Sequence, residues 1–349
     1  MGFLVVLPLA VVGEAAKYPQ RFASLGWEFA GRPCPTEDDA IELARDADAM
    51  IVEGSQRPIT RKVIENLNRC RIIAGTQIGY DSIDTVAAAE RGILVTNVPG
   101  YCIEEVSDHA MALLLACSRR VVALNRAAKS GGWGFGPNSS EIKEAIRPGI
   151  GLLHGKTLGL FGFGAIGRAL VPRARGFGLR VIACDPYADA AVASSLGVEL
   201  VDRPTLLKES DFISIHAAYT PETKHVFNRE AFAAMKRSAC LINTARGGFI
   251  DETALHDALV AGRPAMAALD VLTTEPPERN PLLSLDNVIC TGHLAFFSPE
   301  SLETQWRRPC EEVARVLHGE WPVALVNPQA KQRFVERWGE MKHTSPASA

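Results

Sequence analysis

Short apolar runs of strand length alternate with segments of helical periodicity along almost the whole chain. This alternation is typical of parallel α/β proteins, in which a crossover helix connects each strand to the next. The predicted strands are Phe3–Leu9, Ala49–Glu53, Ile72–Thr76, Leu94–Asn97, Thr157–Gly162, Arg180–Asp185, Phe212–His216, Ala239–Thr244, Ala265–Val271 and Asn287–Thr291. The sequence therefore predicts an α/β fold.

The predicted helices include Thr36–Arg45, Thr60–Asn68 and a long helix that begins near Ile103, where acidic residues occupy the first turn. Another helix is predicted from Pro299 to about His318. The glycine-rich segment 130–151 interrupts the pattern and is predicted to be a surface loop. Residues 331–349 are predicted to form a C-terminal tail, frayed over its last dozen residues.

Length and charge restrict the class of protein. A chain of 349 residues exceeds what one hydrophobic core usually serves, which suggests two domains. The 37 basic and 40 acidic residues give a net charge of −3, so no overall field favours nucleic acid or an anionic membrane. No apolar run approaches the roughly 18 residues that a membrane-spanning helix needs.

The N-terminus and the cysteines indicate a cytoplasmic location. The first residues lack the basic region of a signal peptide and are predicted to form a strand. The eight cysteines contain no Cys-x-x-Cys pair, so we expect reduced, mostly buried thiols and no metal site.

The sharpest local motif is Gly-Phe-Gly-Ala-Ile-Gly at 162–167, between a predicted strand and a predicted helix. In this context Gly162 permits a tight turn, Gly164 lets the backbone approach a pyrophosphate, and Gly167 allows close packing of helix on sheet. Free amides at the helix start would bind the phosphates. Asp185 ends the next strand, where a carboxylate binds the ribose diol and repels a 2′-phosphate. The motif predicts a dinucleotide site that prefers NAD over NADP.

Three chemically distinct groups follow later strands: Arg246, Glu275 and His293. Carboxyl ends of parallel strands share one edge of a sheet, so these groups are expected on the same rim. Hydride transfer to a keto acid needs a proton donor, which His293 can be. Glu275 would favour the imidazolium, and Arg246 could hold the substrate carboxylate. Each has a simpler interpretation, as a solvated strand-end histidine, a loop charge and a capping or phosphate-binding arginine. His216 also ends a strand, where it can touch the cofactor.

Together these motifs resemble the D-isomer-specific 2-hydroxyacid dehydrogenase family. The resemblance rests on Gly79–Asp84, Asn97–Gly100, Gly162–Gly167, Asp185, Asn243–Gly248, Ala268–Val271, Glu275-Pro276 and Thr291–His293. Within the family, the segments Ser139–Ala145 and Ala295–Ser301 are most similar to the branch of the C-terminal-binding proteins.

The resemblance implies two Rossmann-like domains. A contiguous NAD-binding domain, 103–298, would be inserted into a split, flavodoxin-like substrate domain formed by 1–102 and 299–330. It also implies an Arg246–Glu275–His293 triad and a homodimer formed through the NAD-binding domain. The implied cofactor contacts are Gly162, Gly164, Ala165, Ile166, Gly167, Asp185, His216, Ala217, Thr223, Thr244, Ala245, Asp270 and His293. The implied substrate contacts are Gln77, Ile78, Gly79, Arg246 and His293.

Two departures from the family pattern concern the substrate. Gln77 replaces a glycine in the loop whose amides grip the substrate carboxylate, and Gly75 stands where related chains carry an arginine. Gly292 replaces a common proline and loosens the backbone beside His293. We therefore expect the acid-binding pocket to differ from that of its relatives.

Three functions remain open on the sequence alone. The first is an NAD-dependent oxidoreductase that interconverts a 2-keto acid and a D-2-hydroxy acid. The second is an NAD-sensing dimer that binds a partner peptide, as a corepressor does. The third retains the enzyme class but oxidises formate or phosphite; Glu275 argues against formate, because such an enzyme would carry glutamine there.

Overall fold

A computed structural model describes residues 2–9, 18–53 and 58–342. The chain divides into two compact units: residues 1–101 with 298–349, and residues 102–297. Residues 343–349, the end of the predicted tail, lie outside the described residues.

The N-terminal part of the first unit is a five-stranded parallel sheet with helices on both faces. Its strands are β1 (Leu4–Leu9), β2 (Glu28–Pro33), β3 (Ala49–Val52), β4 (Ile72–Gly75) and β5 (Leu94–Thr96), and its helices are α1 (Tyr18–Ala23), α2 (Glu37–Ala44), α3 (Arg61–Glu65) and α4 (Thr85–Glu90). The order β2-β1-β3-β4-β5 is that of flavodoxin-like sheets, with a change of direction between β1 and β3.

The second unit is a seven-stranded parallel sheet. Its strands are β6 (Thr157–Phe161), β7 (Arg180–Cys184), β8 (Glu199–Leu200), β9 (Phe212–Ile215), β10 (Cys240–Asn243), β11 (Met266–Leu269) and β12 (Val288–Cys290). Its helices are α5 (Ile103–Arg119), α6 (Val121–Lys129), α7 (Ala165–Gly176), α8 (Ala190–Ser195), α9 (Arg203–Glu209), α10 (Arg229–Ala234) and α11 (Glu252–Val260). The order β12-β11-β10-β9-β6-β7-β8 is the Rossmann arrangement with one strand added beyond its sixth.

The C-terminal segment returns to the first unit. Helix α12 (Pro299–Leu317) buries Trp306 and Val313 in the cluster that also contains Val5 and Ile72. Helix α13 (Lys331–Trp338) adds Phe334, which is 1% exposed, to the same cluster. The expectation of a tail from residue 331 onwards is therefore wrong for 331–338, because these residues form a helix whose Phe334 is buried in the core of the unit.

The α/β prediction and the two Rossmann-like units are confirmed, and each predicted strand is present within a residue or two of its predicted ends. Helix α1 and the strands β2 and β8 were not predicted. Strand β2 is a largely exposed edge strand that pairs only with β1, and β8 has two exposed residues at the other sheet's edge. Neither strand carries the apolar alternation of a half-buried strand. Within the predicted loop 130–151, Ile142–Ile146 forms a π-helical turn, followed by a short 3₁₀ turn.

Candidate active site

Arg246 lies in the turn after β10, and one buried amide fixes its backbone. The side chain of Asn243 is fully buried; its Oδ1 accepts from the Ala245 amide at 3.0 Å, and its Nδ2 donates to the Arg246 carbonyl at 2.8 Å. Nη1 of Arg246 donates to the Ala245 carbonyl at 2.8 Å. A Cβ on Gly247 would lie 2.0 Å from the Leu272 carbonyl carbon, so only glycine allows this turn to pack against the next loop.

Glu275 and His293 form a hydrogen-bonded pair. Nδ1 of His293 lies 2.6 Å from Oε2 of Glu275, and both side chains are about three-quarters buried, with 27% and 29% exposed. The other oxygen of Glu275 accepts from the Leu272 amide at 2.8 Å. An ionised carboxylate only accepts, so the proton between the two belongs to Nδ1, and Nε2 is the nitrogen left to exchange a proton with a ligand.

The loop that carries Glu275 is held by an acidic side chain from α11. Glu252 accepts from the Thr273 amide and from Nδ2 of Asn280, both at 2.6 Å. Thr273 precedes Glu275 and Asn280 follows it, so Glu252 fixes the loop between β11 and β12 on both sides of Glu275. Charge-assisted hydrogen bonds of this kind are stronger than neutral ones. Glu252 thus fixes the loop that carries Glu275, in addition to the hydrogen bond that Glu275 itself accepts from the Leu272 amide.

The backbone at His293 is unusual. Gly292 and His293 have φ values of 68° and 62°, so two consecutive residues occupy the left-handed region. Proline fixes φ near −65°, and the common proline is therefore incompatible with this conformation at position 292. The expected loosening at Gly292 takes the form of a distinct turn, which directs the imidazole toward Glu275.

The loop 162–167, which we call the dinucleotide loop, has the geometry its glycines predict. Gly162 has φ 97°, and a Cβ there would lie 2.3 Å from the Ala217 nitrogen. A Cβ on Gly167 would lie 2.6 Å from the Gly162 carbonyl oxygen. Gly164 caps α7 without a side-chain hydrogen bond, and the space where its Cβ would lie is open. The first amides of α7 thus face an open cradle of the kind that binds anions.

Asp185 follows β7 and braces the dinucleotide loop. Its Oδ2 accepts from the Phe163 amide at 2.8 Å, and its Oδ1 accepts from the Tyr187 amide at 2.9 Å. A carboxylate oxygen has two lone pairs, so each oxygen can accept a further hydrogen bond from a ligand. The carboxylate lies beside the cradle, at the position from which the sequence predicts ribose binding.

The other residues predicted to touch cofactor differ in their chemistry. Burial lowers the pKa of His216 to about 4, so its imidazole, 2.8 Å from Oγ of Ser214, is neutral at ordinary pH. The hydroxyl of Thr223 accepts from the Thr220 amide at 2.8 Å and closes a local turn. Thr244 follows β10, and its buried hydroxyl oxygen has no hydrogen-bond partner among the described residues. An orphaned buried hydroxyl at this edge is suited to a ligand.

Gln77, Ile78 and Gly79 follow β4 in the first unit. The carbonyl of Gln77 accepts from the Val98 amide at 2.9 Å, and the carbonyl of Ile78 accepts from Nδ2 of Asn97 at 2.7 Å. All three are half-buried. The segment 97–98 therefore fixes the main chain of this loop.

Within the second unit, the sequence-predicted residues converge as the topology requires. Arg246, Glu275 and His293 follow the neighbouring parallel strands β10, β11 and β12 at one edge of the sheet. Among the described residues, no group of His, Cys, Asp and Glu could hold a metal ion. The part of the chain that the structure describes also contains no helix long and apolar enough to cross a membrane.

Comparison with known proteins places this geometry in a family. The profile described as "D-isomer specific 2-hydroxyacid dehydrogenase, NAD binding domain" matches residues 111–295. The chain belongs to the D-isomer-specific 2-hydroxyacid dehydrogenase family. It is 40% identical to a D-3-phosphoglycerate dehydrogenase of Methanocaldococcus jannaschii over 88% of this chain and 56% of that protein. The chain thus spans little more than half the length of this relative.

Two further relatives match over most of both chains. A glyoxylate reductase of Korarchaeum cryptofilum is 40% identical over 84% of this chain and 87% of that protein. The crystal structure of D-lactate dehydrogenase from Aquifex aeolicus, complexed with NAD and lactic acid, has 27% sequence identity and a TM-score of 0.77, covering 90% of this chain and 96% of that one. These relatives confirm membership of the hydroxyacid dehydrogenase family; the branch within it stays a prediction.

The residues at this edge of the second unit fit an NAD molecule. The cradle at Gly164 is open, and the buried hydroxyl of Thr244 has no hydrogen-bond partner in the described part of the chain. Sequence reasoning assigned no role to Asn243, Glu252 and Thr291, which hold the turns that carry the predicted catalytic residues. Asn243 and Thr291 belong to the motifs on which the family resemblance rests, whereas Glu252 has no such signal in the sequence.

Proposed function

We propose that this chain is an NAD(H)-dependent oxidoreductase that interconverts a 2-keto acid and a D-2-hydroxy acid. The observation that carries the proposal is the 2.6 Å contact between Nδ1 of His293 and Oε2 of Glu275, at the strand edge that also bears Arg246. An imidazole oriented by a carboxylate beside a guanidinium is the set of groups that carbonyl reduction of an acid requires.

The proposed chemistry assigns one task to each side chain. NADH, when bound, supplies a hydride to the substrate carbonyl carbon. Nε2 of His293 donates a proton to the oxygen that becomes negative, and it takes the proton back in the oxidation direction. Glu275 orients the imidazole through Nδ1 and stabilises its positive charge. Arg246 binds the substrate carboxylate through its planar fork and polarises the carbonyl.

The second unit is the proposed NAD-binding domain, and we assign its cofactor contacts to the residues predicted from the sequence. Those contacts are Gly162, Gly164, Ala165, Ile166, Gly167, Asp185, His216, Ala217, Thr223, Thr244, Ala245, Asp270 and His293. The carboxylate of Asp185 supports a preference for NAD, since a 2′-phosphate beside it would be repelled. The neutral imidazole of His216 adds no charge to the phosphate region.

The first unit is the proposed substrate domain, with Gln77, Ile78 and Gly79 contacting the acid. The side chain at Gln77 supports a pocket narrower than one lined by glycine. We propose a small 2-keto acid, and glyoxylate and pyruvate head the panel because relatives are named a glyoxylate reductase and a D-lactate dehydrogenase. The relatives are named as dehydrogenases and reductases, which supports the enzyme over the NAD-sensing alternative.

We also propose a homodimer formed through the second unit and a cytoplasmic location. Helix α6 buries only Ala127, and several large apolar side chains on or near it are exposed. These are Val121, Val122, Trp133, Phe135 and Leu152. Eight free cysteines support a reducing compartment. Sedimentation equilibrium tests the dimer; a single species of 37.7 kDa would contradict it.

The test of function is NADH oxidation, followed by its ultraviolet absorbance, with the keto-acid panel and the variant His293→Asn. We expect the variant to lower kcat by about 10²–10⁴-fold while NADH affinity stays within about threefold, because the lost group acts on substrate oxygen. The matched control is His256→Asn, a histidine on α11, and it should retain full activity. Loss of activity in the control alone, or full activity in His293→Asn, would contradict the assignment.

A further inference from the structure

The loop 291–295, which we call the histidine loop, holds His293 in a strained conformation. A non-glycine residue in the left-handed region costs on the order of 1–3 kcal/mol and persists only where surrounding contacts fix it. His293 has φ 62°, directly after Gly292 at 68°. The contacts that maintain this geometry therefore bear on where the imidazole lies.

One carboxylate supplies most of these contacts. Asp270, which is 3% exposed, accepts from Oγ1 of Thr291 at 2.6 Å and from the amides of Leu294 and Ala295 at 3.0 Å. The carbonyl of Asp270 accepts from the His293 amide at 2.6 Å. Asp270 thus hydrogen-bonds to the histidine loop at Thr291, at His293 itself and at the two residues that follow it.

A second histidine extends this network. Nε2 of His109, on α5, lies 3.0 Å from Oγ1 of Thr291 and 3.7 Å from Oδ1 of Asp270. Thr291 has a single hydroxyl proton, and the buried carboxylate can only accept it. Toward His109 the hydroxyl must therefore accept, so the Nε2 of His109 carries the proton. The result is one directed chain, from Nε2–H of His109 to the hydroxyl of Thr291 to the carboxylate of Asp270.

We propose that His109, Thr291 and Asp270 form a positioning chain that holds the imidazole of His293 in its proton-transfer geometry. The proposal rests on the function assigned to His293 above. These hydrogen bonds connect the histidine loop to α5, a helix of 17 residues whose inner face is buried in the core. Without it the left-handed turn can relax, and Nε2 moves relative to the substrate oxygen. Misplacement of a reacting group by about 1 Å costs on the order of 100-fold in rate.

The first experiment compares Thr291→Val with Thr291→Ser in the full-length enzyme. Valine keeps the shape and removes the hydroxyl, whereas serine restores it. We expect Thr291→Val to lower kcat by about 10- to 100-fold with the KM for NADH within about threefold, and Thr291→Ser to recover most of that loss. On α5, His109→Leu should behave like Thr291→Val, and His109→Gln, which retains a donor, should be milder. Equal activity of the valine variant and wild type, or equal losses with valine and serine, would overturn the proposal.

A spectroscopic readout separates this proposal from the proposed function. In long-range ¹H–¹⁵N spectra of the protein without cofactor, His109 should show the Nε2–H tautomer, and Thr291→Val should shift the signals of His109 and His293. An Nδ1–H tautomer at His109, or an unmoved His293 signal, overturns the positioning chain. If His293→Asn is inactive while Thr291→Val is not, only this inference fails. If His293→Asn retains full activity, the proposed function fails, whatever the spectra show.

Discussion

The dinucleotide loop and the histidine loop lie at the same edge of one sheet, and both contain positive φ values, yet they are stabilised differently. The positive φ of Gly162 is a conformation that glycine adopts without strain. The Ala217 backbone leaves no room for the Cβ of any other residue at this position. At His293 the same region of conformational space is occupied by a residue that disfavours it. Its loop is held by Asp270 and, through Thr291, by His109, which lie 23 and 184 positions from His293 in sequence.

A glycine turn such as the dinucleotide loop can therefore be encoded locally, whereas the histidine loop depends on partners that are distant in sequence. Glycine makes a turn accessible without any tertiary contact. A strained side-chain-bearing residue needs hydrogen bonds from elements that fold around it. Changes in the dinucleotide loop should therefore act through sterics, and changes around the histidine loop through lost hydrogen bonds.

Gly162→Ala should lower both stability and NADH affinity more than any other change proposed here. The new Cβ would lie 2.3 Å from a backbone nitrogen at a φ of 97°, so the loop and the strand beside it must both shift. We expect at least ~2 kcal/mol of destabilisation and a NADH affinity lower by more than about 100-fold. Urea unfolding and NADH fluorescence titration measure the two effects. The matched variant Gly164→Ala, whose Cβ meets open space, should unfold like wild type and lose only NADH affinity.

Asp270→Asn tests the other side of the comparison. An amide can replace only one of the two carboxylate oxygens, so its NH₂ group would face the Ala295 or Leu294 amide, donor to donor. A buried donor left without an acceptor costs about 1–3 kcal/mol, and the urea midpoint should fall accordingly. Unchanged stability would show that the histidine loop does not depend on this carboxylate.

Asp185→Ala tests a long-range contact of the dinucleotide loop, the hydrogen bond from the Phe163 amide to the Asp185 carboxylate. Removing the carboxylate deletes the acceptor of the Phe163 amide and the negative charge beside the proposed ribose site. We expect NADH to bind about tenfold more weakly, near the lower end of the roughly 1.5–3 kcal/mol of a hydrogen bond to a charged group. NADPH should bind better, because the charge that repels a 2′-phosphate is gone. The ratio of the two dissociation constants is the measurement; a ratio equal to that of wild type would remove the ribose assignment.

The smallest effect concerns the pH dependence at His216, whose side chain packs beside Gly167. Its folded pKa of about 4 lies below the ordinary value of 6.5. The unfolded chain therefore binds a proton first, so stability is full above pH 6.5 and falls as the pH drops toward 4. Because part of the residue is exposed, we expect this contribution to be about 1 kcal/mol. His216→Asn should flatten the decline in urea midpoint between pH 6.5 and 4.5; parallel pH curves for both proteins would contradict the assignment.

Much of the fold could be predicted because its interior strands are continuous apolar runs. Strands such as β9 and β11 are buried at every position, and strands of this kind consist mostly of apolar residues, which the sequence shows directly. The edge strand β2 could not be predicted, since its exposed residues Glu28 and Arg32 carry no periodic pattern. Helix α13 was not predicted because most of its residues are polar and only Phe334 is buried, so the sequence shows no apolar periodicity there.

The order of residues was enough to predict the alternating α/β plan, the glycines of the dinucleotide loop and the side chains proposed to react. These depend on side-chain type and on near neighbours, which the order of residues states directly. The left-handed backbone of His293, the contact of Glu275 with its Nδ1 and the contact of His109 with Thr291 become visible only in the folded protein. Such contacts join distant segments, and their geometry exists only once the strands are aligned side by side.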